Sequence, residues 1–184
     1  MSEPYRTTEY KGYKIHLHTD DNPINPREDE NLGRMLCRHT RYDLGDEPKA
    51  NREEVLDILE GRRKDVVALP LYLYDHGGIT MNTTGFSCPW DSGMVGCIYA
   101  DYEKIRSWLG AKRITKAVIE KVKESLRSEV KLYDAYISGN ACGYTIEKDG
   151  DEEDACWGYT DEQDALNDGM KAVDHFIKLE QAYA

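Results

Sequence analysis

The stretch DVVALPLYLYDHGGITMNTTGFSCPWDSGMVGCIYA, Asp65–Ala100, holds three apolar runs separated only by turn-forming residues. DVVALPLYLYDH is the most hydrophobic segment of the chain. Its β-branched and aromatic content makes it a central strand, with Pro70 marking a bulge or an edge because proline cannot donate to a ladder. GITMNTT and MVGCIYA read as the next two strands, and FSCPWDSG joins them. Strands that follow one another without a helix between them pair antiparallel.

Upstream, GYKIHLHTD alternates Tyr13, Ile15 and Leu17 with Lys14, His16 and His18, the period-two pattern of a half-buried strand. His16 and His18 then share a face as a solvent-facing pair, without a third residue to complete a metal site. DDNPINPREDENLG is a loop, and RMLCRH reads as a short strand pairing with the first. Asn51, with Glu54 three residues on, caps a helix whose apolar side is Val55, Leu56 and Leu59 and which Gly61 ends.

Downstream, Asp101 caps a short helix running to Leu109, and Thr115 opens a long one ended by Gly139. The latter carries the stripe Val118, Val122, Leu126, Val130, Tyr133 and Ile137 at spacings of three and four. CGYTIEKDGDEEDACWGY reads as a hairpin turning at Asp149–Gly150. Thr160 with Gln163 then caps a final helix striped by Leu166, Met170, Val173 and Ile177. The sequence thus specifies an α+β fold, a mainly antiparallel sheet with two long helices packed on one face. At 184 residues it reads as a single domain over 1–184.

The net charge is −11, unevenly placed. Glu147–Asp168 holds ten carboxylates against Lys148 alone, whereas Glu103–Lys131 holds nine basic residues against four acidic ones. A negative field of this kind repels nucleic acid and steers encounter with a basic partner. No apolar run is long enough to span a membrane, and the N-terminus lacks the apolar segment of a signal peptide. The expected location is therefore the cytoplasm. Five scattered cysteines without a C-x-x-C pair read as reduced thiols, mostly buried.

Two readings of the candidate chemistry stand side by side. Asp75 and His76 end a strand at a glycine pair, where a rigid element fixes functional groups. With Cys88, Asp91 and Glu129 around one cleft they would make a hydrolase acting on a nucleotide or signalling molecule. Otherwise FSCPWDSGMVG is a geometric connection, Cys88 packing inward beside Trp90 and the indole anchoring the loop to the core. No motif selects a cofactor or a metal.

The strings NPRE, NLGRM and RYDLGD, followed by LPLYLYDHGGI, FSCPWDSGMVGCIY, YDAYISG and CWGY, resemble a family of small proteins carried by phages and other mobile elements. The resemblance covers most of the chain, and FSCPWDSG is its specific element. Matching positions include Asn31, His39, Arg41, Tyr42, Asp46, Asp75, His76, Cys88, Trp90, Asp91 and Gly93. The family has serine at the position of Gly77 and an aliphatic or aromatic residue at that of Cys97, so the resemblance implies no catalytic role for either.

The family has no assigned activity, so the resemblance implies a setting: an accessory protein in a host cell. Joined to the charge, it leads to the expectation of an inhibitor of a host nucleic-acid-handling or defence protein, of anti-CRISPR or anti-restriction type. A basic surface of that partner would dock on Asp149, Asp151, Glu152, Glu153, Asp154, Asp161, Asp164 and Asp168, with no cofactor, no direct nucleic acid and no membrane.

Overall fold

In a computed structural model, which describes residues 3–183, the three runs of Asp65–Ala100 form consecutive antiparallel strands, β4 (Val66–Asp75), β5 (Ile79–Asn82) and β6 (Ser92–Asp101). The ladder between β4 and β6 shifts register between Leu71 and Tyr72, one residue beyond Pro70. The four-residue β5 pairs only with Tyr72–Asp75, so Pro70 lies outside its ladder and owes it no N–H.

The chain is α+β with two four-stranded antiparallel sheets. It divides into two compact units: the described residues up to Ile24 together with those from Ala135 onward, and Asn25–Asp134.

In the first unit the strand order is β1 (Arg6–Tyr10), β2 (Tyr13–Thr19), β7 (Cys142–Lys148), β8 (Asp151–Tyr159). Helix α4 (Glu162–Tyr183) lies on β2, β7 and β8. Its Ala165, Leu166 and Val173 are buried with Tyr13, Ile15, Leu17, Tyr144 and Ile146 of the sheet. The hairpin turns at Asp149 (φ 55°) and Gly150 (φ 97°), the paired left-handed conformation that Asp-Gly supplies.

Strand β1 goes beyond the sequence reading. It is joined to β2 by Lys11 (φ 51°) and Gly12 (φ 85°), the same kind of two-residue turn with a less telling first residue. Two further expectations are corrected in this unit. His16 and His18 are not a solvent-facing pair: His18 is buried, bonds Thr145 Oγ1 at 3.1 Å and lies 5.8 Å from the Trp157 ring. The cap of α4 is Asp161, whose Oδ1 accepts the N–H groups of Gln163 (2.9 Å) and Asp164 (3.3 Å), in place of Thr160.

In the second unit the order is β3 (Arg34–Cys37), β6, β4, β5. RMLC therefore pairs with β6 and not with the first strand of the sequence reading. The reason is twofold: β2 has both edges taken, by β1 and β7, and Met35, Leu36 and Cys37 need burial on both faces. β3 and β6 approach so closely at Gly96 that a Cβ there would stand 1.8 Å from the Leu36 carbonyl oxygen. Only glycine fits.

Helix α1 (Arg52–Leu59), capped by Asn51 Oδ1 on the Glu53 N–H, buries Val55 and Ile58 in one cluster with Leu36, Cys97 and Tyr99; Leu56 and Leu59 are half-buried. Asp101 caps α2 (Tyr102–Leu109), and Thr115 Oγ1 accepts from the Val118 N–H at the head of α3 (Lys116–Ser138). Val122, Leu126, Val130 and Tyr133 of α3 are buried. Among the described residues no helix is long and apolar enough to cross a membrane.

A buried guanidinium braces this unit. Arg27, its side chain 4% exposed, donates to Asp46 Oδ1 (3.0 Å) and Oδ2 (2.6 Å), to Glu129 Oε2 (3.0 Å) and to the Gly33 carbonyl (2.7 Å). Glu129 also accepts the N–H groups of Leu32 (2.9 Å) and Gly33 (3.1 Å), and Asp46 that of Met35 (2.7 Å). A charge this deep is tolerated because every polar atom around it is matched.

Candidate functional site

Residues 46–50 run beside β3 through backbone bonds of Cys37 N–H to the Glu47 carbonyl (2.9 Å) and of Ala50 N–H to the Cys37 carbonyl (3.1 Å). That path sets Lys49 opposite Arg38 as bridge partners. Arg52 follows at the first turn of α1. Together with Arg41 and the first half of β6 they wall a cleft of about 920 Å³ within the second unit. Val55, Leu73 and Val95 supply apolar wall, Asp75 and Asp91 are its carboxylates, and Trp90 stands at its lip.

The charges sort themselves between cleft and scaffold. Within 38–52 the sequence sets Asp43, Asp46 and Glu47 between two basic pairs, Arg38 with Arg41 and Lys49 with Arg52. Asp46 is drawn to Arg27, and Glu47 pairs with Arg34. The cations are left facing the cleft. Arg41 pairs with Asp75, whose Oδ1 also accepts the Tyr42 hydroxyl at 3.2 Å. Among the described residues Arg38, Lys49 and Arg52 have no carboxylate within ion-pair distance. His39 lies flat on Tyr42, ring centres 5.0 Å apart and planes within 9°.

Four of the five candidate catalytic residues come together. The Asp91 carboxylate is 3.4 Å from His76 Nδ1 and accepts from the Cys88 thiol at 3.5 Å, while the Asp91 carbonyl takes the Asp75 N–H at 2.8 Å. Glu129 does not join them: it is held in the Arg27 network, its carboxylate spent on Arg27, Leu32 and Gly33. His76 is 71% exposed at the side chain and stands outside the cleft wall. Among the described residues no group of three His, Cys, Asp or Glu side chains is placed to hold a metal ion.

The loop residues are turned on one another. The Ser92 hydroxyl donates to the Cys88 carbonyl and closes a tight turn, and Asn82 Oδ1 accepts the N–H groups of Thr84 (3.0 Å) and Gly85 (2.7 Å) to brace its start. Cys88, Asp91 and Ser92 are thereby hydrogen-bonded to one another within the turn. The role expected for Trp90 is corrected: its indole is 91% exposed and anchors nothing. Pro89 and Trp90 occupy the apex of a turn closed from below, which leaves the ring no core to enter.

Of the eight acidic residues expected to meet a partner, Asp149, Asp151, Glu152 and Glu153 are exposed on the hairpin, and Asp154 is half-buried. Asp161 is occupied as the α4 cap. Asp164 is exposed, whereas Asp168 is paired with Lys171 (2.7 Å) and accepts the Tyr159 hydroxyl (3.3 Å). The Lys171 ammonium holds the Asp168 carboxyl below its ordinary range.

Sequence reasoning passed over Arg38, Lys49 and Arg52. The signal available was RHTRY and KANR, two basic segments either side of a short turn in an acidic protein. Compared with family models, with curated proteins and with solved structures, the chain matches none.

Proposed function

We propose that this is a binding protein whose cleft captures a phosphate-bearing ligand. The observation that carries the reading is the set Arg38, Lys49 and Arg52, three cations gathered on one cleft without carboxylate partners, in a protein of net charge −11. Like charges brought together repel, and a protein with carboxylates to spare has every means of pairing them. Guanidinium groups fit phosphate oxygens in pairs, and an ammonium adds a point charge. The apolar wall of Val55, Leu73 and Val95 adds the concave, partly apolar character of small-ligand sites.

The test is calorimetric titration with tripolyphosphate of the wild-type protein and of the double variant Arg38→Glu/Arg52→Glu. The expected result is salt-sensitive binding to the wild type, weakened at least tenfold in the variant at unchanged thermal stability. Equal binding by both proteins would contradict the reading.

A second reading follows the resemblance to phage and mobile-element proteins: an inhibitor that docks the basic surface of a host defence or nucleic-acid-handling protein. What favours it is β8, an edge strand presenting Asp151, Glu152 and Glu153 exposed and, among the described residues, without an ion-paired cation. In this reading, changing Asp151, Glu152, Glu153 and Asp154 to lysine abolishes salt-sensitive capture of the partner from host lysate and leaves the fold intact. Undiminished capture would sink it.

A further inference from the structure

We infer that the ligand of the cleft is a nucleotide, its base stacked on the Trp90 indole and its phosphates held by Arg38, Lys49 and Arg52; this rests on the anion-binding reading above. Three features, independent of the cations, separate a nucleotide from a bare polyphosphate.

The first is the indole itself. Trp90 is 91% exposed, the most exposed large hydrophobic side chain among the described residues, and it stands at the lip of the cleft. An apolar ring left in water is costly, and the turn beneath it is closed by Ser92 on the Cys88 carbonyl and by Asp91 on His76 and Cys88. The ring is therefore carried by a braced turn, at little entropic cost to a partner that stacks on it. Every nucleobase has a π-face to offer.

The second is the pair of carboxylates in the wall. Asp75 and Asp91 would repel a ligand made only of phosphate, yet both line the cleft that holds the cations. Each carboxylate has more acceptor sites than its present partners use, Arg41 and Tyr42 for Asp75, His76 and Cys88 for Asp91. A ligand that carries hydroxyl or amine donors as well as phosphates satisfies them; a sugar and an exocyclic amine are such donors.

The third is size. About 920 Å³ is near the upper end of small-ligand sites, roughly 300–1,000 Å³, and far exceeds what a chain of phosphates would fill. Met94, half-exposed four residues beyond Trp90, extends the apolar lip on which a base or sugar edge can rest.

The experiment titrates the full chain, wild type and Trp90→Ala, with ATP, GTP, CTP, UTP and tripolyphosphate under one salt condition. At least one nucleoside triphosphate is expected to bind the wild type tenfold or more tighter than tripolyphosphate. Trp90→Ala should remove roughly tenfold of that advantage, the scale of one base–aromatic stack, while leaving tripolyphosphate affinity unchanged. Because the ring touches no core, the variant is expected to fold as the wild type does, checked by its circular dichroism. If nucleotides and tripolyphosphate bind alike and the variant moves neither, the nucleotide inference fails and the anion reading stands. If none of the five probes binds, both fail together.

Discussion

The β7–β8 hairpin and the cleft of the other unit carry their charges in opposite ways. On the hairpin, Asp151, Glu152 and Glu153 follow one another along an edge strand, so that a dense run in sequence becomes a dense run in space. At the cleft, the density is made by folding. Arg38 and Arg41 before and Lys49 and Arg52 after flank Asp43, Asp46 and Glu47, a stretch with hardly any net charge, until Asp46 and Glu47 are drawn off to Arg27 and Arg34. The difference teaches that a charge run marks a solvated surface directly, while a binding cluster arises where the fold pairs off one sign and strands the other.

The strongest way to break that comparison is to remove the residue that draws the acids away. Arg27→Ala leaves the partly exposed carboxylates of Asp46 and Glu129 without their shared cation, and the expected loss is about 3 kcal/mol of unfolding free energy, measured by urea denaturation. A loss under about 1 kcal/mol would mean that the network does not hold the 46–50 segment in place. Next in size is the charge reversal of Arg38 and Arg52, at least tenfold in tripolyphosphate affinity with no change in denaturation midpoint.

Replacing Asp151, Glu152, Glu153 and Asp154 by lysine sharpens the contrast from the other side. The unfolding free energy should change by less than about 1 kcal/mol, because exposed carboxylates without ion-pair partners add little to folding. A markedly larger loss would show that the run is held in structure and is not a solvated surface.

The smallest effect concerns the thiols. Burial pushes Cys37 and Cys97 up to about 12, so their reactive thiolates do not form as pH rises from 7 to 9. Mass spectrometry after iodoacetamide treatment of the folded protein should find these two unmodified at both pH values, with the half-buried Cys88 and Cys156 labelled first. Labelling of Cys37 or Cys97 at pH 9 would show that the β3–β6 contact opens.

The strands of Asp65–Ala100 were legible because their periodicity and turn residues are local signals, and so were the caps Asn51 and Asp101. The partner of RMLC was not: which sheet a strand joins depends on which edges are already filled, and that is settled far away in sequence. The convergence of Asp75, His76, Cys88 and Asp91 could be read from their loop and strand end. The departure of Glu129 could not, because its place is fixed by Arg27, 102 residues away. Trp90 was misread for a general reason: an indole is ordinarily core, and only the closed turn beneath it shows that there is no core within its reach.

The most direct measurement is a two-dimensional amide NMR titration of the labelled protein with tripolyphosphate. The expected result is that shift changes gather on residues 38–52 and 90–96, the walls of the cleft. Changes confined instead to the basic stretch Glu103–Lys131, where the sequence itself concentrates positive charge, would contradict the account.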